Sequence, residues 1–474
     1  MIRLGTARGR GVLAATILGS GVAFLDGTVV NVALPTLGRE LGAGLAGLQW
    51  TVDAYLLSLS ALLLLGGSLG DRHGRRFIFN LGLAWFALAS ALCGFAPTIE
   101  LLIAARALQG VGAALLVPGS LALLRSSFAE EDQAQAIGTW AGLSGVTTAL
   151  GPLLGGWLIS AVSWRFIFFL NLPLAALAIY FARRCVPESR NPAQGPLDLP
   201  GALTAALGLG GVVGALIEGR ALGWTSAPIL AAAALGLAGL AAFFLLEARR
   251  EGQGRSPMLP LSLFRSRQFS GANGTTFALY FALGGATFFL ALQLQTTAGY
   301  SPLQAGASLL PITLLLLAIS GPAGKLAGRI GFRPLMTAGP LLAGLGLLLL
   351  GRVGPGASYV TAVLPGVTVL GLGLSLTVAP LTAAVISGAA PEHAGIASAV
   401  NNMVARLASL LAVALLPLLG AGDGLNPGLN LGLNPGLNPG FHRALIASAT
   451  ICGLGALCSH LTLQTPAARS MTKP

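Results

Sequence analysis

Charge is what this 474-residue chain has least of: 9% of its residues are charged, against about 25% in an ordinary soluble domain. A 47.7 kDa globule with so little polar surface cannot be solvated. A single soluble domain, a disordered chain and a coiled coil are therefore excluded. Cysteine is scarce too. Cys93, Cys185, Cys452 and Cys458 are too few and too scattered for a disulfide framework or a zinc site, and read as small buried apolar residues. His73, His393, His442 and His460 lack metal-ligand spacing, so neither a metal nor any other cofactor is expected. Lysine occurs only at Lys325 and Lys473.

Apolar length is what the chain does have. Hydrophobic residues make up 54% of it and the mean hydropathy is +0.81. Its 67 glycines and 27 prolines would be many for a soluble helical protein, but both residues are tolerated in transmembrane helices. A spanning helix needs about 20 mostly apolar residues. Fourteen such stretches are present, at about 11–34, 48–69, 77–96, 101–124, 134–160, 165–182, 199–218, 226–246, 270–294, 303–323, 334–351, 358–386, 395–420 and 442–463. The period-2 alternation of an outer-membrane barrel is missing. Met1 to Arg10 carries Arg3, Arg8 and Arg10 ahead of an apolar run, and with no small-residue cleavage site it reads as the start of an uncleaved first helix.

The net charge of +12 does not call for nucleic acid, because the positive residues cluster in short runs between apolar stretches. With the N-terminus inside, 20 Lys and Arg residues fall on inner segments and five on outer ones, while Arg106 and Arg406 lie within helices. That bias predicts a multi-pass protein of the inner cell membrane with both termini cytoplasmic. The chain also repeats. The stretch Gly67-Ser68-Leu69-Gly70-Asp71-Arg72-His73-Gly74-Arg75-Arg76 recurs 257 residues later as Gly324-Lys325-Leu326-Ala327-Gly328-Arg329-Ile330-Gly331-Phe332-Arg333. The expected fold is an all-α membrane protein of about 14 spans: a six-helix bundle in 1–190, a two-helix insert in 191–262 and a second six-helix bundle in 263–474. A duplicated six-helix unit is a transporter architecture, with the substrate site between the halves near mid-membrane. The low-complexity segment Gly424 to Gly440, rich in Asn-Pro turns, is expected to be a helix-free external loop.

Polar residues inside apolar helices are the candidates for chemistry. An acidic residue at a helix centre costs about 2.5–3.5 kcal/mol on insertion scales, so it should face a cavity or a partner. Asp26, close to Asn31 in Leu25-Asp26-Gly27-Thr28-Val29-Val30-Asn31, is one. Asp53 is another, although near the outer end it could simply be wet. Arg106 and Gln109 share a helix face at i, i+3. Arg106 either forms an internal ion pair or snorkels to the interface. Gly151-Pro152-Leu153-Leu154-Gly155-Gly156 combines a groove for close helix approach with a bend. In the second half Gln293, and Asn402 with Arg406 at i, i+4, are the polar features to explain. Gly66-Gly67-Ser68-Leu69-Gly70 matches a hydrolase elbow only by letters, since that elbow needs a strand-to-helix turn. Lys325 is followed by Leu326, which rules out a P-loop.

Together these stretches resemble the signature motifs of the major facilitator superfamily, and more narrowly its fourteen-helix drug:proton antiporter branch. GSLGDRHGRR resembles the cytoplasmic loop motif, LDGTVVNVALP the first-helix motif, RALQGVGAA the fourth-helix motif and ALGPLLGGWL the antiporter motif of the fifth helix. The resemblance implies a monomeric exporter, not an enzyme, that exchanges small amphipathic drug-like compounds for protons across the lipid bilayer. It implies proton coupling at Asp26 and Arg106, with Asp53 a further candidate, and a conformational latch of Gly67, Asp71, Arg72, Gly74, Arg76 and Arg125. Asp71 would pair there with Arg125 or with a helix N-terminus. Asn31, Gln109, Gln293, Asn402 and Arg406 are the expected cavity residues. An exporter of one metabolite or siderophore, and a membrane enzyme or sensor without transport, remain the alternatives. The orientation is tested in intact cells with single cysteines introduced at 265 and 430. Only the cysteine at 430 should react with an impermeant reagent; the opposite pattern contradicts the topology.

Overall fold

The computed structural model of the chain describes residues 2–191, 197–255, 257–390, 393–420 and 437–463. Among them, fourteen helices are long and apolar enough to cross a membrane. The first six are α1 (Ala7–Glu40), α2 (Leu45–His73), α3 (Arg75–Phe95), α4 (Ile99–Ser127), α5 (Glu130–Ala161) and α6 (Arg165–Cys185). Then come α7 (Leu199–Leu222), α8 (Ala227–Gly252), α9 (Arg267–Thr296) and α10 (Pro302–Ile330). The last four are α11 (Phe332–Leu350), α12 (Tyr359–Ser387), α13 (Ala394–Leu419) and α14 (Pro439–Thr462). Each coincides with one expected apolar stretch. Several run further, because a backbone leaving the apolar layer must keep its hydrogen bonds until water can take them over. Side-chain caps fix several starts: Thr6 accepts from Gly9 N at 3.0 Å, and Ser266 accepts from Phe269 N.

Residues 424–436 of the repeat segment, and 464–474 with Arg469 and Lys473, lie outside the described residues. Leu437 to Gly440 are helical, contrary to the expectation of a helix-free loop. Pro439 falls in the first turn, where the missing N–H has no helical acceptor to lose.

The packing shows the duplication. In the first half α2 and α3 pack on α4, α1 packs on α5 and α6, and α3 on α6. The second half repeats the scheme eight helices later: α10 and α11 pack on α12, α9 on α13 and α14, and α11 on α14. The inserted α7 and α8 pack on each other, and α7 also leans on α2 and α13. The seam between the halves is made by α2 against α13, α5 against α10 and α1 against α9. The two copies of the loop motif turn alike, since Gly74 and Gly331 have φ of +116° and +88°, a region that favours glycine. The close approach of α2 to α4 depends on Gly66 rather than Gly67. A Cβ on Gly66 would lie 2.1 Å from the Ala114 carbonyl oxygen, whereas one on Gly67 would make ordinary contact with Pro118 at 3.5 Å.

Candidate functional site: a buried charge network beside the seam

Asp26 lies midway along α1 and is fully buried. Its Oδ2 pairs with Arg106 Nη1 from α4. Its Oδ1 accepts from Gln109 Nε2 at 2.8 Å and from Asn171 Nδ2 at 2.9 Å. Arg106 is 1% exposed, so snorkelling is excluded. Its Nη1 also donates to Gln109 Oε1 at 2.7 Å, and its Nε donates to the Thr51 carbonyl on α2 at 3.1 Å. The Tyr55 ring lies 4.3 Å from the guanidinium carbon. Asn171 Nδ2 further donates to Ser90 Oγ on α3 at 3.0 Å. Five helices thus converge on one carboxylate and one guanidinium. Gln109 belongs to this network and not to a substrate cavity as expected, because its amide bridges the two charges.

Asn171, Ser90 and Tyr55 were not among the sequence candidates. Asn171 carried a usable signal: a lone amide in an apolar stretch, two residues before Pro173. The argument that singles out Asp26 singles out Asn171 as well. It follows the break in α6, which consists of Arg165–Phe169 and Asn171–Cys185.

Asp53, on α2, is 0% exposed, and neither carboxylate oxygen has a hydrogen-bond partner among the described residues. The wet position near the helix end is therefore wrong. Gln49, one turn earlier on the same face, donates to the Val413 carbonyl of α13 at 2.8 Å. Asp53 lies one turn further along α2 and is closed off from water.

The antiporter-motif glycines bind α5 to both sides of the seam. Cβ atoms on Gly151 and Gly155 would meet Thr28 Oγ1 at 2.2 Å and Val29 Cγ2 at 2.3 Å, both on α1. One on Gly156 would lie 2.4 Å from the Pro302 carbonyl oxygen, and one on Gly306 2.0 Å from the Pro152 carbonyl oxygen. Gln295 on α9 donates to the Val32 carbonyl at 2.9 Å. All these ties lie on the membrane face at which α1 ends. Beneath them is a cavity of about 40 Å³ lined by Thr28, Asn31, Pro152, Thr287 and Leu294 among others. That is room for a few waters and too little for a drug-sized compound. Asn31 lines this small space. Gln293 does not: its amide donates to the Val353 carbonyl within the second half at 2.9 Å. Asn402 donates to the Ser398 carbonyl of its own helix at 3.0 Å. Its neighbour Asn401 instead crosses to α9, at Asn273 Oδ1 (3.1 Å) and Thr276 Oγ1 (2.6 Å). Arg406, half-buried at the centre of α13, lies over the Phe24 ring of α1 at 5.4 Å.

On the opposite face the loop motif pairs differently from the expectation. Asp71 accepts from Arg75 Nε at 2.7 Å, one turn along, and not from Arg125. The N-terminus of α3 is capped by Glu188, which accepts from Arg76 N at 3.0 Å and Phe77 N at 3.2 Å. Arg76 also donates to the Val186 carbonyl at 3.1 Å. Arg72 is exposed. Arg125 reaches across the seam, with Nη1 3.5 Å from where a Gly395 Cβ would stand at the start of α13. Where the first copy of the motif uses Arg76 and Glu188, the second sets Arg333 Nη2 2.7 Å from His460 Nε2.

Comparison with known proteins gives a consistent identification. Residues 16–202 and 200–413 match the model of the Major Facilitator Superfamily. The methylenomycin A resistance protein of Streptomyces coelicolor is 39% identical over 405 residues, covering 85% of this chain and 84% of that protein. The multidrug resistance protein Stp of Mycobacterium tuberculosis is 36% identical over 408 residues, covering 85% and 74%. In fold, the chain is similar to an inward-facing, unoccupied bacterial homologue of the human lysosomal transporter Spinster. The TM-score is 0.64 at 16% identity, over 98% of this chain and 100% of that one.

The network predicts strong coupling between its two charges. Arg106→Gln leaves a buried carboxylate without its counter-charge, a loss of about 3–5 kcal/mol when buried pairs are broken elsewhere. Asp26→Asn combined with Arg106→Gln should recover at least about 1 kcal/mol of that, because the amides satisfy one another. Unfolding of detergent-solubilised protein by sodium dodecyl sulfate measures both. Losses that simply add would show that the two side chains are independent.

Proposed function

The chain belongs to the major facilitator superfamily, and on that premise we propose that it exports amphipathic drug-like compounds in exchange for protons. The observation that carries this reading is the contrast between two buried carboxylates. Asp26 is matched by a guanidinium and two amides. Asp53 is matched by nothing among the described residues. An isolated charge in such surroundings is so costly that a carboxyl group there holds a proton instead. Asp53 is then the proton-loaded group of this conformation, and Asp26 the charged one.

Alternating access supplies the cycle. When the halves rock, the environments at the seam change. Opening of the external side, with movement of α1 against α4, loosens Arg106 from Asp26 and lets Asp26 take up a proton there. Opening of the cytoplasmic side lets Asp53 meet water and release its proton inside, and re-pairing with Arg106 drives the proton off Asp26 to the same side. A proton crossing 100 mV carries about 2.3 kcal/mol, enough to raise a solute ratio more than tenfold. The names of the relatives, which concern antibiotic and multidrug resistance, support export of a foreign or secreted compound. The charge bias of 20 to five supports a cytoplasmic face at the start of α1. Glycine-sealed ties between α5 and α10 then shut the external side. The Asp71–Arg75 pair and the Glu188 cap lie on the cytoplasmic side, where they act on conformational populations rather than on substrate affinity. Units of 1–190, 191–262 and 263–474 fit the packing scheme.

Inverted vesicles holding an internal pH gradient, challenged with compounds to which expression confers resistance, test the reading. Addition of a compound should dissipate the gradient with the parent protein. It should do so at under about a tenth of that rate with Asp26→Asn or Asp53→Asn, a loss of at least about 1.4 kcal/mol in transition-state terms. Asp71→Asn should slow transport severalfold with little change in half-saturating concentration. Normal proton-coupled uptake by both carboxylate variants would remove Asp26 and Asp53 from the coupling mechanism.

A further inference from the structure

Two arginines lie deep within helices beside the seam, and they differ sharply in how they are satisfied. Arg106 has a carboxylate, an amide and a backbone carbonyl. Arg406 forms no ion pair or hydrogen bond among the described residues; its contact is the Phe24 ring face at 5.4 Å. A ring face attracts a cation but offers no acceptor for its N–H groups. A guanidinium at mid-membrane with its donors free is expensive unless it faces water or an anion.

Its position is that of a substrate site. Arg406, Phe24 and Tyr280 all lie near the midpoints of their helices, α13, α1 and α9, and all three are half-buried. They come from both halves and meet across the seam. Ser409, three residues along α13, donates to the Tyr280 carbonyl at 3.2 Å. Tyr55 packs its ring against Arg106 at 4.3 Å. Asp26 is already held by Arg106, Gln109 and Asn171, and Asp53 has no hydrogen-bond partner among the described residues, so neither carboxyl group neutralises Arg406.

We propose that Arg406 is the receptor for an anionic group, so that the exported compounds are amphipathic molecules with one acidic function, such as a carboxylate or an ionised enol. Its planar fork suits bidentate pairing with a carboxylate, and Phe24 beside it offers an apolar surface to the rest of the molecule. This inference rests on the export reading and narrows its substrate class. An anion seated on Arg406 supplies the counter-charge that the protein does not, and it does so beside Phe24 of α1, the helix that also carries Asp26.

The test uses three fluorescent probes that share one apolar body: pyrenebutyrate, pyrenebutanol and pyrenebutylamine, each titrated into the full-length protein in detergent. Pyrenebutyrate should bind about tenfold or more tightly than the alcohol, the difference a charge-assisted hydrogen bond makes, and the amine should bind weakest. Arg406→Gln should reduce the acid-to-alcohol ratio to within about twofold, and Arg406→Lys should keep part of it. The parent ratio stands as a test even if a variant fails to fold. Equal or tighter binding of the alcohol or amine in the parent overturns the anion preference and leaves export of amphipathic compounds intact. So does an acid preference that survives in Arg406→Gln. Failure of all three probes to bind the parent overturns the amphipathic-exporter reading itself, and the preference with it.

Discussion

A membrane interior cannot solvate charge, and the arrangement of this protein depends on how it meets that constraint at Asp26 and Arg106. Either group alone would be untenable at 0% and 1% exposure. Together, with Gln109, Asn171 and the Thr51 carbonyl, they satisfy each other. The same contacts draw α1, α2, α4 and α6 to one point, and Ser90 adds α3. In soluble proteins such a pair adds little net stability over a well-packed apolar replacement. Its value lies in the large penalty for separating its members, which makes the register of α1 against α4 an all-or-none matter.

Around that fixed point two ionisable groups have no hydrogen-bond partner among the described residues: Asp53 on α2 and Arg406 on α13, the latter against Phe24 of the other half. A group satisfied within the first bundle responds only where α1 shifts against α4. One at the seam changes surroundings each time the halves move. We propose a proton as the partner of the carboxyl and an anionic group as that of the guanidinium. Tyr55 packs on Arg106, and Phe24 of the same α1 that carries Asp26 lies against Arg406, so α1 touches both the satisfied pair and the unsatisfied cation.

Much of this was legible in the sequence. Apolar length alone locates all fourteen helices, because a bilayer sets both length and composition. The repeated loop motif reveals the duplication, and its glycines turn as the repeat implies, at Gly74 and Gly331. Burying a charge in an apolar helix announces Asp26 and Arg106. What the sequence hides is pairing across helices. Nothing local tells that Asp71 turns to Arg75 instead of Arg125, or that Glu188, some 110 residues away, caps α3. Gln293 and Asn402 look like cavity residues by polarity, but each satisfies a nearby carbonyl. Asn171 could have been found by the argument applied to Asp26. The burial of Asp53 could not, since it depends on how α2 packs against helices distant in sequence.

The central claim is that the two carboxyl groups differ in protonation because one is matched and the other is not. Infrared difference spectroscopy of the purified protein across a pH titration measures this directly. The account predicts a carbonyl-stretch band of a protonated carboxylic acid near neutral pH that disappears in Asp53→Asn and persists in Asp26→Asn, while Asp26→Asn removes a carboxylate band. A protonated-acid band that survives in Asp53→Asn and vanishes in Asp26→Asn would contradict it.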